Sequence, residues 1–251
     1  MATVDMRPIE HSAAPAGPPP RTVYLIGGLI IVALIVIAAV AVAVRSRLTG
    51  ERAGEAANTV TGAVDGRDHA TLDLVTGAAS VTVQAADLGD TLFRVDSAQR
   101  PAVNDTRDRV EVHLTGGDAT VTIRLNRDVR WDVRFTGGSQ SNAADLRDLR
   151  HLASVEYVGG VSAIDLTLPA PTGTVPVRVD GGASAVRVHA PGSVPVRVRA
   201  GGGAGRVAVD GDEHTGIAAG TAFGSGGWDA ATDRYDVDAA GGVSTITVDR
   251  F

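Results

Sequence analysis

Three serines stand where a nucleophile would. Ser162, Ser184 and Ser244 occur in Gly160-Val161-Ser162-Ala163-Ile164, Gly182-Ala183-Ser184-Ala185-Val186 and Gly242-Val243-Ser244-Thr245-Ile246. A nucleophile elbow opens in the same way but closes on a second glycine, which lets a strand turn sharply into a helix. No copy has that closing glycine, and three equivalent serines in repeat register read as turn hydroxyls. The histidines His11, His69, His113, His151, His189 and His214 lack the His-x-His and His-x-x-x-His spacings of a local metal site. The acidic run Asp210-Gly211-Asp212-Glu213-His214 lacks the alternating oxygen ligands of an EF-hand loop and reads as a solvated turn. Calcium-binding Gly-Gly-x-Gly-x-Asp repeats fare no better. In Gly202-Gly203-Ala204-Gly205-Arg206-Val207 a valine takes the aspartate position, and the period is about 21 residues rather than nine. No cysteine is present, which excludes thiol nucleophiles, disulfides and cysteine-bound zinc. All 23 basic residues are arginine, so neither a phosphate-loop lysine nor a Schiff base is available. The expectation is a non-enzyme with no catalytic residues, cofactor or metal.

The arginines suggest contact rather than catalysis. Arg178, Arg187, Arg197, Arg199 and Arg206 alternate with valines and should point outward from neighbouring strands, as a stripe for envelope polyanions or anionic lipid headgroups. Carboxylates lie close by, and the net charge is −6, so a solvated face is the plainer reading. An acidic chain with 4% aromatics does not suit nucleic acid.

These residues hang on a repeat. Gly-Gly-x-Ser-x-(Val/Ile)-x-(Val/Leu) begins at Gly159, Gly181 and Gly241, with looser copies at Gly202, Gly137 and Gly116 and a first one around Thr76-Gly77. The second glycines fall at 77, 117, 138, 160, 182, 203 and 242, giving intervals of 40, 21, 22, 22, 21 and 39. Within each period, apolar and polar residues alternate, as in Ile164, Leu166 and Leu168, which marks a strand with one buried face. A Pro- or Gly-containing turn leads to a second such strand. Gly160, Gly182, Gly203 and Gly242 are placed to supply the positive φ of the turn into the next unit. A two-strand unit cannot bury its valines alone, so the units must stack and the ends must be capped. The two long intervals sit where caps belong. Proline cannot donate to a ladder, so the repeated Val-Pro-Val-Arg-Val (175–179 and 194–198) points to an edge or a bulge. Leu146, Leu149 and Leu152 recur every third residue, and residues 143–154 read equally as a helical turn or as irregular strand.

Ahead of the repeats, residues 23–44 are uncharged and apolar. At 1.5 Å per residue a helix of this length spans a hydrocarbon core of about 30 Å. The expected organisation is a Pro-rich disordered tail (1–21), a transmembrane helix (22–45), a juxtamembrane linker (46–59) and a β-repeat domain (60–251). A cleavable signal peptide is the alternative, but its apolar region is shorter. Arg7 and Arg21 on one side and Arg45, Arg47 and Arg52 on the other leave the orientation undecided. A short tail before a long folded domain favours an extracytoplasmic domain. The arginine-only basic set and the Gly/Ala/Val bias point to a GC-rich bacterial genome.

With its Gly-Gly-x-Ser repeats, the Asp145-Leu146-Arg147-Asp148-Leu149 stretch and the closing Gly241–Val248 copy, the chain resembles the toast-rack or LiaF-like domains of bacterial envelope proteins, relatives of the adhesin-type β-strand repeats. The resemblance implies an all-β, solenoid-like stack (β-helix or toast-rack) tied to a membrane segment, with roles near envelope stress signalling and no catalytic residues. The functional expectation is a single-pass anchored domain for envelope binding, adhesion-like contact or stress sensing. Its partners would be membrane lipid through residues 23–44 and a protein or envelope polymer. A cytoplasmic-facing scaffold and a polysaccharide-active β-helix are the alternatives.

Overall fold

Alternating small apolar and polar residues, punctuated by Gly, Pro and Asp, produce strand after strand. The computed structural model describes residues 58–116 and 118–251. The tail, the expected membrane helix, residues 46–57 of the linker and Gly117 lie outside the described residues. Among the described residues no helix is long and apolar enough to cross a membrane. The strands are β1 (Asn58–Ala63), β2 (His69–Leu74), β3 (Ala78–Ala86), β4 (Thr91–Ser97), β5 (Ala102–Asp105), β6 (Arg109–His113), β7 (Thr120–Asn126), β8 (Arg130–Phe135), β9 (Ser139–Asp145) and β10 (His151–Tyr157). They continue as β11 (Val161–Thr167), β12 (Thr174–Val179), β13 (Ala183–Ala190), β14 (Val196–Ala200), β15 (Ala204–Val209), β16 (Asp212–Ile217), β17 (Thr221–Gly224), β18 (Arg234–Ala239) and β19 (Val243–Arg250). A single 3₁₀ turn, Trp228–Ala230, is the helical content of the described residues.

Among the described residues the strands form two mixed sheets and no closed barrel. One has ten strands in the order β1-β4-β7-β3-β9-β11-β13-β19-β15-β16, and the other nine in the order β17-β14-β18-β12-β10-β8-β2-β6-β5. Consecutive strands such as β10 and β11 fall in opposite sheets, joined through a glycine pair, and make one rung. Neighbouring rungs run parallel, as β10 with β12 and β11 with β13. The two-strand repeat of about 21 residues is therefore the structural unit.

The rungs do not stack in sequence order. At one end, β6 and β7 follow β2 and β3 in the chain, yet β7 enters between β3 and β4 while β6 adds outside β2. At the other end β14 and β15 are set one place away, and β18 and β19 fill the gap beside β12 and β13. The long glycine intervals hold the extra strands β4 and β5 at one end and β16 and β17 at the other. β4 pairs antiparallel with β1 and β7, β5 with β6, β16 with β15, and β17 with β14.

Inward-facing residues from both sheets form one apolar cluster, with Trp131, Tyr157, Tyr235, Phe93 and Phe135 as its largest side chains. The polar tips of the aromatics are satisfied inside it. Trp131 Nε1 donates to the Asn126 carbonyl at 2.9 Å, and the Tyr235 hydroxyl to the Pro169 carbonyl at 2.7 Å. Phe135 and Tyr157 stack at 4.7 Å between centroids. The Leu146/Leu149/Leu152 segment is not a helix but interrupted strand: β9 ends at Asp145, a turn follows, and Leu152 lies in β10. All three are buried around a tight turn between β9 and β10, closed by Leu149 N donating to the Leu146 carbonyl at 2.9 Å.

Pro176 departs from the edge expectation. It lies in β12, an interior strand, and pairing with β10 begins only past it, at Val177. Pro176 keeps its register with Asp236 of β18, and because the β10 pairing starts past it, no ladder bond to β10 depends on the missing N–H. Pro195 precedes β14 and accepts from Tyr235 N through its carbonyl at 3.0 Å.

Candidate functional site

The outward faces of the two sheets carry the chain's polar chemistry. The five arginines singled out by sequence do point outward but do not make one stripe. Arg178, Arg197 and Arg199 lie on the nine-stranded sheet, and Arg187 and Arg206 on the ten-stranded sheet. Carboxylates stand among them. Arg197 grips Asp236 at 2.7 and 3.0 Å, and Arg206 pairs with Glu213 at 2.6 Å. Arg178 sits in register between Glu156 and Asp238, which in turn neighbours Arg199. Arg187 sits between Asp165 and Thr247. Parallel register thus turns the arginines into rows of mixed sign rather than a basic patch.

The repeated glycines act chiefly by close approach. Of Gly160, Gly182, Gly203 and Gly242, Gly203 alone has a positive φ, 84°. A Cβ on Gly160 or Gly182 would meet its nearest neighbour at an ordinary 3.6 Å. The first glycine of each pair is the tight one. A Cβ on Gly159 would stand 2.6 Å from the Gly137 carbonyl carbon, and one on Gly181 2.3 Å from the Gly159 carbonyl oxygen. Rung spacing leaves no room there.

Ser162, Ser184 and Ser244 occupy equivalent positions on adjacent strands β11, β13 and β19, all exposed. They form a solvated ladder along the sheet. A serine and a histidine do share a carboxylate elsewhere: Ser154 Oγ donates to Asp132, and His69 Nε2 lies 2.7 Å from the same carboxylate. Asp132 stands between them, so His69 has no contact through which to take the Ser154 proton.

Acidic loops are filled by the protein's own cations. In the run 210–214, Asp210 receives Arg250 at 2.6 and 2.9 Å, and Glu213 receives Arg206. In a cleft of about 590 Å³ lined by Asp65, Asp68, Asp105 and Asp108, Arg67 donates to Asp105 at 2.7 Å and to the Val64 and Thr106 carbonyls at 3.1 Å. Hydrogen bonding to Asp105 raises the pKa of that guanidinium, although burial opposes it. Among the described residues no cluster of three or more His, Asp or Glu has the arrangement of a metal site.

Two further groupings were not visible in the sequence. Both guanidinia of Arg197 and Arg234 lie over the Trp228 indole, 3.7 and 4.0 Å from its centroid. On the ten-stranded sheet, His189 of β13 lies between Asp165 of β11 and Asp249 of β19. Its Nδ1 bonds Asp249, and its Nε2 is 3.3 Å from Asp165. Hydrogen bonding to Asp165 raises the His189 pKa, burial works against this, and Asp249 adds to the rise. His189 and Asp249 are register partners, and Asp165 lies diagonally, two residues before the Thr167 that faces His189, but β19 had to be known as the neighbour of β13. A cleft of about 460 Å³ beside this group is lined by Asp210, Asp249 and Arg250. Both carboxylates are engaged, by Arg250 and His189 respectively.

No family model and no curated protein matches the sequence. Among solved structures the chain is similar to a putative cell adhesion protein from Clostridium sporogenes ATCC 15579, at 16% identity and a TM-score of 0.61, with 79% of this chain and 100% of that chain covered. A putative adhesin from Bacteroides fragilis NCTC 9343 matches at 10% identity and a TM-score of 0.28, over 80% of this chain and 100% of that one; superposition this loose does not bear on the fold. The chain thus has an adhesin-type β-repeat fold.

Proposed function

We propose that the chain is a single-pass, membrane-anchored, non-catalytic β-repeat domain that makes adhesion-like contacts at the cell envelope. The observation that carries this reading is the capped two-sheet stack. It presents two broad outward faces of mixed charge and hydroxyls, and its acidic loops are closed by the chain's own arginines. Contact surfaces suit such faces, whereas acid–base catalysis needs titratable groups converging on a reactant. Fold likeness to the Clostridium sporogenes protein agrees with it, as an analogy of architecture. The uncharged segment 23–44 supplies the anchor, with the β domain outside the cytoplasm and a protein or envelope polymer as partner.

Caps at both ends weigh against the scaffold that polymerises through its end rungs. β16 is exposed from Asp212 to Gly216 and carries Asp212, Glu213 and His214. A topology reporter fused after Phe251 tests the reading, combined with co-sedimentation of the full chain with isolated cell walls. Extracytoplasmic reporter activity and salt-sensitive wall binding are expected. A cytoplasmic reporter signal would overturn the envelope contact.

A further inference from the structure

We propose that His189 is a proton-operated clasp that locks the inserted β18–β19 rung into the stack, so that mild acid tightens this end of the domain. Both ring nitrogens of His189 face carboxylates on the two flanking strands. Neutral imidazole has one N–H and one lone pair, so it can donate to only one of them and turns its lone pair on the other. Only the imidazolium donates to Asp165 and Asp249 together, through two charge-assisted bonds. One of those strands, β19, is the strand inserted out of sequence order. The His189–Asp249 bond spans the junction with the preceding rung at a separation of 60 residues.

The surroundings keep the pair of acceptors dominant. β11 contributes Asp165 and the uncharged Thr167, and β19 contributes Asp249 and the uncharged Thr247. Arg187 on β13 is the one cation in the neighbouring row and lies in register with Asp165. Farther along the sheet, Asp145 is held by Arg147, and Arg250, next to Asp249, is turned to Asp210. The folded pKa lies above the ordinary 6.5, chiefly through the Asp165 and Asp249 bonds. The stabilisation is therefore complete below 6.5 and is lost as pH rises through the folded value. This direction is opposite to that of carboxylate pairs, which weaken in acid.

Hydrogen exchange of the detergent-solubilised full chain between pH 6 and pH 8, corrected for the intrinsic effect of pH on exchange, tests the clasp. Protection of β19 amides should rise about three- to tenfold toward pH 6, the range of a partly exposed charge-assisted bond, while β9 amides stay unchanged. His189→Gln and Asp249→Asn should each remove most of that rise. The ¹⁵N shifts of the wild-type histidine rings give a readout independent of either variant folding. His189 titrating above free histidine is expected. Titration at or below the free value, or the same pH response in His189→Gln, would overturn the proposal.

Discussion

At the scale of single residues, the decisive contrast lies within each glycine pair. Gly159→Ala pushes a methyl group into the backbone of the preceding rung, where no flexible side chain can give way. It should cost about 1–3 kcal/mol or more, as overpacking does. Gly160→Ala meets ordinary contacts and should stay within about 0.5 kcal/mol of the parent. Urea unfolding of the two variants checks the difference, and equal effects would refute the close-approach argument. Asp96 offers a second test. Burial opposes its charge, but hydrogen bonds from Arg94 and Thr59 and the charges of Arg94 and Arg124 outweigh that and hold its pKa below the ordinary 3.8. Its stabilisation is present above that value and disappears as pH falls through the depressed one. Asp96→Asn should therefore cost about 1–2 kcal/mol near pH 7 and little near pH 2, as thermal unfolding at the two pH values would show. The repeat period located the glycines but did not say which of each pair is crowded, because that depends on the distance to a neighbouring rung. Similarly, Arg197 was legible as outward-facing, while its partner Asp236, 39 residues away, was not.

Among the elements, the caps answer a need that the repeats create. A stack of valine-lined rungs ends in an open mouth between two sheets. Ile217 of β16 and Phe223 of β17 pack against the core there, and Phe223 stacks on His214 at 4.5 Å. Phe223→Asp should reopen that mouth, cost roughly 2 kcal/mol of buried apolar surface and promote association. Light scattering across a concentration series would detect it; a variant that stays monomeric and equally stable would remove the capping role from Phe223. The intervals of 40 and 39 residues placed the caps correctly because each exceeds one rung by about another rung's worth of chain. Element type was legible at residues 143–154 only in part. A leucine every third residue fits a helix, but a strand end, a tight turn and a strand start bury the same three positions.

For the whole molecule, the rung order governs how the domain comes apart. In a sequential solenoid, removing the last unit trims the end and leaves the rest standing. Here residues 228–251 supply β18 and β19, which lie inside β14 and β15. A chain ending at residue 227 should lose the pairing of β14 and β15 as well as one rung. Its urea m-value should fall by more than one rung's share, because m follows the surface exposed on unfolding. A drop of one rung's share would mean that the end closes up without the insert. Residue alternation, glycine spacing and the lack of cysteine and lysine determined, without coordinates, an all-β stack of two-strand units and excluded thiol, lysine and cysteine–zinc chemistry. Those are local properties, carried by side-chain period and residue type. Only the tertiary structure decided that the end rungs trade places, that the arginines face carboxylates, and that His189 meets Asp165 and Asp249. Each of these depends on which strands are neighbours. Parallel pairing of similar repeats is nearly degenerate in sequence, so the choice falls to the connecting segments and caps that leave a gap for a later rung to fill.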